Sequence, residues 1–125
     1  MAGRPKRTSA GFAPLESEIM DAIWSADRPL SVREVLETLN RRRAEPLAYT
    51  TAMTVMNRLA AKRALERRGE PRSYVYEATG KDAAAIAVGD VIRTYGDAAV
   101  AHLVDQARAD PDVMRRLRAL LEEPT

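Results

Sequence analysis

The sequence predicts a mainly α-helical protein with a small β-ribbon: a winged helix-turn-helix domain followed by a C-terminal helical dimerisation domain. Three observations predict it. From Tyr49 to Glu77 an amphipathic helical stretch runs into a short strand, a basic turn and a second strand, the order in which a winged helix-turn-helix meets a duplex. Upstream lie two segments with apolar stripes at helical spacing. Downstream of Thr79-Gly80 the chain turns alanine-rich and helical. The expected divisions are a flexible basic tail over 1–13, the winged-helix domain over 14–80 and the dimerisation domain over 81–125.

The first helix is expected over Pro14 to Ser25, where Leu15, Ile19, Met20, Ile23 and Trp24 share one stripe. Glu16 and Glu18 fall in its first turn, which the helix dipole favours for acids. Asp27-Arg28-Pro29 ends it. Ser31-Val32-Arg33-Glu34 is a capping-box signature opening a second helix. Val32, Val35, Leu36 and Leu39 form its buried stripe, and Asn40 to Arg43 bring cations to its last carbonyls. The third helix runs from near Tyr49 to near Arg63. Ala52, Val55, Met56 and Leu59 make its core side, opposite Thr50, Met53, Thr54, Asn57 and Ala61. Leu65 to Arg68 and Ser73 to Ala78 pair as a hairpin across Gly69-Glu70-Pro71-Arg72, with Tyr74 and Tyr76 on one face.

In the C-terminal stretch Ala84, Val88, Val91 and Tyr95 recur at helical spacing beside Ile92. Gly96-Asp97 starts a helix carrying Val100, Leu103, Val104 and Ala107. Asp110-Pro111 is an N-cap followed by proline at N1, opening a last helix with Val113, Leu117, Leu120 and Leu121. Helices of about 12 residues are marginal alone, so these stripes need a partner surface. The same segment of a second chain is the expected one. The alternative is that they fold back as ordinary core.

Hydrophobic residues make up 46% of the 125 and charged residues 30%, the balance of a globular core. There is no cysteine, which excludes disulfides and thiolate metal sites and fits a cytoplasmic location. One histidine, His102, makes an imidazole-built metal site a poor expectation. No apolar run approaches the roughly 18 residues of a membrane span, and the basic leader lacks the apolar core of a secretory signal. That leader is expected to be either uninvolved or a DNA-binding arm. The net charge of +2 hides an asymmetry. Residues 1–80 hold 14 Lys and Arg against 10 Asp and Glu, and residues 81–125 hold 6 against 8. A basic front and a mildly acidic back suit a protein that binds phosphate with one end and itself with the other.

Base readout needs short polar side chains at base edges, and positioning needs cations at phosphates. Thr50, Thr51, Met53, Thr54 and Asn57 are the candidates for bases: hydroxyls donate and accept, an amide suits adenine, and methyl groups pack on thymine. Arg58, Lys62, Arg67, Arg68 and Arg72 are the candidates for phosphates, joined by Ser31 and Arg33 at the start of the second helix. The dimer-interface candidates are Val88, Val91, Ile92, Tyr95, Leu103, Val104, Leu117, Leu120 and Leu121. A polar helix face with nearby cations can also be plain solvated surface. No nucleotide-binding glycine pattern and no nucleophile–base pair is visible, so no catalytic residue, cofactor or metal is expected.

The pattern LESEIMDAIW, SVREVLETL, YTTAMTVMNRLAAKRAL and YVYEA, in this order and spacing, resembles the penicillinase-repressor, or BlaI/MecI, family of bacterial transcription regulators over about residues 14–122. The resemblance implies a homodimer on a roughly palindromic double-stranded DNA operator, often with TACA/TGTA-type half-sites. It implies the helix from Tyr49 to Lys62 in the major groove and Arg67 to Arg72 as the wing. In the best-known members a membrane sensor-protease leads to cleavage within the dimerisation domain, and the matching bond here is His102–Leu103. Those members carry Asn-Phe there, and copper-responsive relatives carry a cysteine motif that this chain lacks. Arg63 stands where glycine is common, and Ala48 where a serine cap is common. A left-handed Arg63 would cost roughly 1–2 kcal/mol over glycine.

The expected function is therefore a repressor that occupies a palindromic operator as a homodimer and is released by proteolysis or another signal acting on the dimerisation domain. The alternative is a winged-helix module that binds protein without sequence-specific DNA binding.

Overall fold

A computed structural model describes residues 11–123; residues 1–10 of the expected tail lie outside the described residues. The elements run α1 (Pro14–Ala26), α2 (Val32–Asn40), α3 (Tyr49–Ala61), β1 (Leu65–Arg68), β2 (Val75–Ala78), α4 (Ala83–Tyr95), α5 (Asp97–Ala109) and α6 (Pro111–Glu122). The chain divides into two compact units between Ala87 and Val88.

In the first unit the starts of α1 and α2 and the end of α3 have local chemical causes. Pro14 opens α1, and Glu16 Oε1 accepts from the Ala13 N–H at 3.0 Å. The capping box of α2 is complete: Ser31 Oγ accepts from the Glu34 N–H at 3.1 Å, and Glu34 Oε1 accepts from the Ser31 N–H at 2.9 Å. After α2, Asn40 brackets Leu47. Its Oδ1 accepts from the Leu47 N–H at 2.8 Å and its Nδ2 donates to the Leu47 carbonyl at 3.3 Å. That clasp sets the chain down at Ala48, the N-cap of α3, which offers no side-chain acceptor and leaves α3 about 1 kcal/mol short of a serine cap.

Helix α3 ends in a Schellman motif. Ala64 N–H donates to the Leu59 carbonyl at 2.9 Å and Arg63 N–H to the Ala60 carbonyl at 3.0 Å. The motif requires a left-handed residue between them, and Arg63 takes it with φ 65°. The antiparallel ribbon then pairs Leu65 with Ala78 and Arg67 with Tyr76, so Leu65, Arg67, Tyr74 and Tyr76 share a face. Its turn depends on Gly69, at φ 94°, where an added Cβ would lie 3.2 Å from the Ser73 carbonyl oxygen. A third extended piece joins the ribbon, because Leu30 and Tyr76 exchange both backbone bonds, at 3.0 and 2.8 Å.

The core fills the space between these parts. Ile19, Met20, Ile23 and Trp24 of α1 meet Val35 and Leu39 of α2, Ala52, Val55, Met56 and Leu59 of α3, and Leu65 and Tyr76 of the ribbon. A fully buried leucine stabilises by roughly 1.5–3 kcal/mol, and Leu59 is 0% exposed. Trp24 Nε1 donates to the Gly80 carbonyl at 2.8 Å, tying α1 to the segment after the ribbon. Ala83 and Ile86 also pack against this core, so the unit reaches past Gly80 into the first turn of α4. A Cβ on Gly80 would meet the Ile86 nitrogen at 3.0 Å.

In the second unit Asp110 caps α6, accepting from the N–H groups of Asp112 and Val113 at 3.0 and 3.4 Å, with Pro111 next. Ala107 is the buried residue of α5; α4 and α6 have none. Among the described residues no helix is long and apolar enough to cross a membrane.

Candidate nucleic-acid interface

Helix α3 buries Ala52, Val55, Met56 and Leu59 and turns every expected base-reading side chain outward: Thr50, Thr51, Met53, Thr54 and Asn57 are all exposed. At 100° per residue Thr50, Met53, Thr54 and Asn57 share one stripe, while Thr51 sits at its edge with Arg58. The Tyr-bearing face of the ribbon stands beside this stripe. Between them runs an open groove of about 400 Å³, lined by Met53 and Asn57 of α3, Arg33 at the start of α2, and Arg67, Tyr74 and Tyr76 of the ribbon.

Two cations at this groove are propped on aromatic rings. The Arg67 guanidinium lies 4.2 Å from the centre of the Tyr74 ring, and that of Arg33 lies 5.9 Å from Tyr49. Such stacking holds a guanidinium in place while leaving its N–H fork open. Arg58 and Arg72 are exposed, and Arg72 sits at φ 79° in the ribbon turn.

The other expected phosphate contacts are placed differently. Lys62 Nζ donates to both oxygens of Glu16, at 2.8 and 3.0 Å. Glu16 is only 2% exposed, so the acid expected to answer the dipole of α1 is instead a buried anion with Lys62 as its counter-ion. Burial pushes the Glu16 carboxyl up. The Lys62 and Ala13 hydrogen bonds and the charges of Lys62 and Arg58 outweigh that and hold it below its ordinary value. Arg68, on the ribbon's far face, pairs with Glu77 at 2.8 Å and Glu66 at 3.1 Å. Ser31 spends its backbone N–H and its hydroxyl oxygen in the capping box. Glu34 there is held below the ordinary carboxylate value by the Ser31 N–H and by Arg28, which lies 3.0 Å away. Arg43 donates to Glu18 of α1 at 2.9 Å rather than serving the carbonyls that end α2. The cations left without a carboxylate partner around the groove are Arg33, Arg58, Arg67 and Arg72 among the described residues.

Sequence reasoning missed the contact between Asn57 and the ribbon, in which the Tyr76 hydroxyl donates to Asn57 Oδ1 at 2.9 Å. The alternation of Tyr74 and Tyr76 places both rings on one face, but nothing local says that Asn57 lies opposite.

In the second unit Val88, Val91, Ile92, Tyr95, Leu103, Leu120 and Leu121 are exposed, Tyr95 by 66% and Leu121 by 75%; Val104 and Leu117 are half-buried. His102 and Leu103 are exposed in the middle of α5, so a protease would have to unwind that helix to take the bond between them. Among the described residues no group of three or more His, Cys, Asp or Glu could hold a metal ion.

Residues 12–123 match the family model described as penicillinase repressor. Over an alignment of 116 positions, which takes in 86% of this chain and 83% of each relative, the sequence is 38% identical to the transcriptional regulator BlaI of Mycobacterium tuberculosis, in both strain CDC 1551 / Oshkosh and strain ATCC 25618 / H37Rv.

Proposed function

The chain belongs to the penicillinase repressor family, a family of transcriptional regulators and not of enzymes, and from that premise we propose that it represses transcription by occupying a palindromic DNA operator as a cytoplasmic homodimer. The observation that carries the proposal is the pairing of an outward Thr-Thr-Asn stripe on α3 with the ring-propped guanidinium of Arg67 across one open groove. The stripe supplies hydroxyls and an amide for base edges in the major groove, and the arginines supply charge for phosphates on either side. Arg33, Arg58, Arg67 and Arg72 are the phosphate contacts. Lys62 serves the fold, and Arg68 is offset by its two glutamates. A protein partner would call for exposed aromatic side chains on the stripe itself, and Tyr49 at its start is the one present.

Dimerisation is assigned to the second unit, which begins at Val88 and so takes in the end of α4. Monomers seldom leave a run of large apolar side chains in water, and Val88, Val91, Ile92, Tyr95, Leu103, Leu120 and Leu121 make such a run. Two α3 helices held in one dimer would meet successive major grooves about 34 Å apart, or a multiple of it. The second half-site then binds intramolecularly, which raises avidity. Release follows from anything that loosens these helices, including cleavage at His102–Leu103 by a membrane sensor-protease.

The test is a gel-shift titration of the DNA upstream of its own gene, with stoichiometry read by native mass spectrometry. The expected species is two chains on one duplex, outcompeting random DNA. A single bound chain, or no preference over random DNA, contradicts the proposal.

A further inference from the structure

Among the described residues, Asn57 is the one candidate base reader on α3 whose side chain is held by another element, through the Tyr76 hydroxyl at 2.9 Å. Tyr76 is a fixed post. It is 2% exposed, its backbone exchanges two bonds with Leu30, and it pairs across the ribbon with Arg67. Asn57 is exposed, so without the phenol its amide would turn freely between two faces. An asparagine amide has one acceptor oxygen and two donor protons, and the usual bidentate contact with adenine uses one of each. Here the oxygen is engaged by the phenol, and the –NH2 has no protein partner.

We propose that Tyr76 is a positioning residue that fixes the Asn57 amide with its –NH2 toward the major groove, so that this position reads the paired acceptors of guanine, N7 and O6, in preference to adenine. This replaces the sequence-level expectation that the amide suits adenine, and it rests on the DNA-binding reading above. Two protons on one nitrogen satisfy two neighbouring acceptors. Adenine would have to share Oδ1 with the phenol for its N6 donor. The phenol therefore acts on sequence preference through Asn57 without touching DNA.

The experiment is selection of the full-length protein on a randomised 30-base-pair duplex pool, followed by sequencing, for the wild type, Tyr76→Phe, Asn57→Ala and Asn57→Asp. The wild type should enrich guanine at one position per half-site, and Asn57→Ala should flatten that position alone. Tyr76→Phe loses one hydrogen bond worth about five-fold in population, so its guanine-to-adenine ratio there should fall about five-fold with the loss confined to that position. Damage to the fold would instead weaken every position, and a melting curve of each variant separates the two. Asn57→Asp keeps an acceptor for the phenol but removes both protons, and it should lose the guanine preference even if Tyr76→Phe does not fold. Adenine enriched by the wild type at the position Asn57→Ala flattens, or guanine retained there by Tyr76→Phe or by Asn57→Asp, overturns the proposal. A wild-type pool with no enriched sequence overturns the DNA-binding reading itself, a different outcome from a motif that ignores Tyr76.

Discussion

Replacing Lys62 by methionine separates a cation that holds the fold from one that holds DNA. The change leaves the Glu16 carboxylate 2% exposed with the Ala13 N–H and the field of Arg58 as its remaining support. A hydrogen bond to a charged group contributes about 1.5–3 kcal/mol. Breaking a fully buried pair costs about 3–5 kcal/mol, but the Lys62 side chain is 46% exposed, so water can partly replace it. The expected loss is therefore about 1–3 kcal/mol at pH 7, read by urea unfolding followed by far-UV circular dichroism. Adding Glu16→Gln to Lys62→Met should recover part of it, because the stranded charge is then gone. The sign with pH follows from Glu16. Its folded-state value is lowered from 4.5, so its contribution is complete above about pH 4.5 and drains away as the pH falls through the lower folded value. The gap between wild type and Lys62→Met should close as the pH falls from the variant's folded value, raised by the loss of Lys62, through the wild-type one. A loss under about 0.5 kcal/mol, together with a salt slope of DNA binding reduced by about 1, would instead place Lys62 among the phosphate contacts.

Arg63→Gly should stabilise the protein by about 0.5–1 kcal/mol, because the relief of the left-handed strain at φ 65° exceeds the extra entropy that glycine gives the unfolded chain; a melting temperature that drops would contradict the Schellman ending of α3. Arg67→Ala should weaken binding to operator and random DNA alike and lower the salt slope by about 1, measured by fluorescence anisotropy across salt concentrations. A fragment of residues 1–87, which keeps Ala83 and Ile86 on the core, should sediment as a monomer and bind operator poorly; a dimeric fragment would move the self-association surface into the first unit.

The parts of this fold that local chemistry dictates were legible in the sequence. The Ser31–Glu34 box, the Asp110-Pro111 start and the alternation of Tyr74 and Tyr76 each follow from neighbours within a few residues, and the elements begin and pair where those signals put them. The outward stripe of α3 was legible for the same reason, since helical periodicity sorts Thr54 and Asn57 from Val55 and Met56. What was not legible depends on residues far apart in the chain. Lys62 reads as one more cation until Glu16, 46 positions away, is found beneath it. Arg68 reads likewise until the register sets Glu77 within reach. Leu30 follows a proline and gives no strand signal, yet it completes the ribbon by pairing with Tyr76. Asn57 reads as a free amide because the phenol that holds it arrives only with the tertiary fold.

Operator recognition by this protein is decided by its affinity, at full length, for its upstream DNA and for random duplex, measured side by side between 50 and 200 mM salt, roughly the range over which phosphate contacts declare themselves. Both affinities should fall linearly on a log–log plot, with the upstream DNA bound at least about a thousand-fold more tightly throughout. Folded protein that binds neither duplex, or binds both equally at every salt concentration, would contradict it.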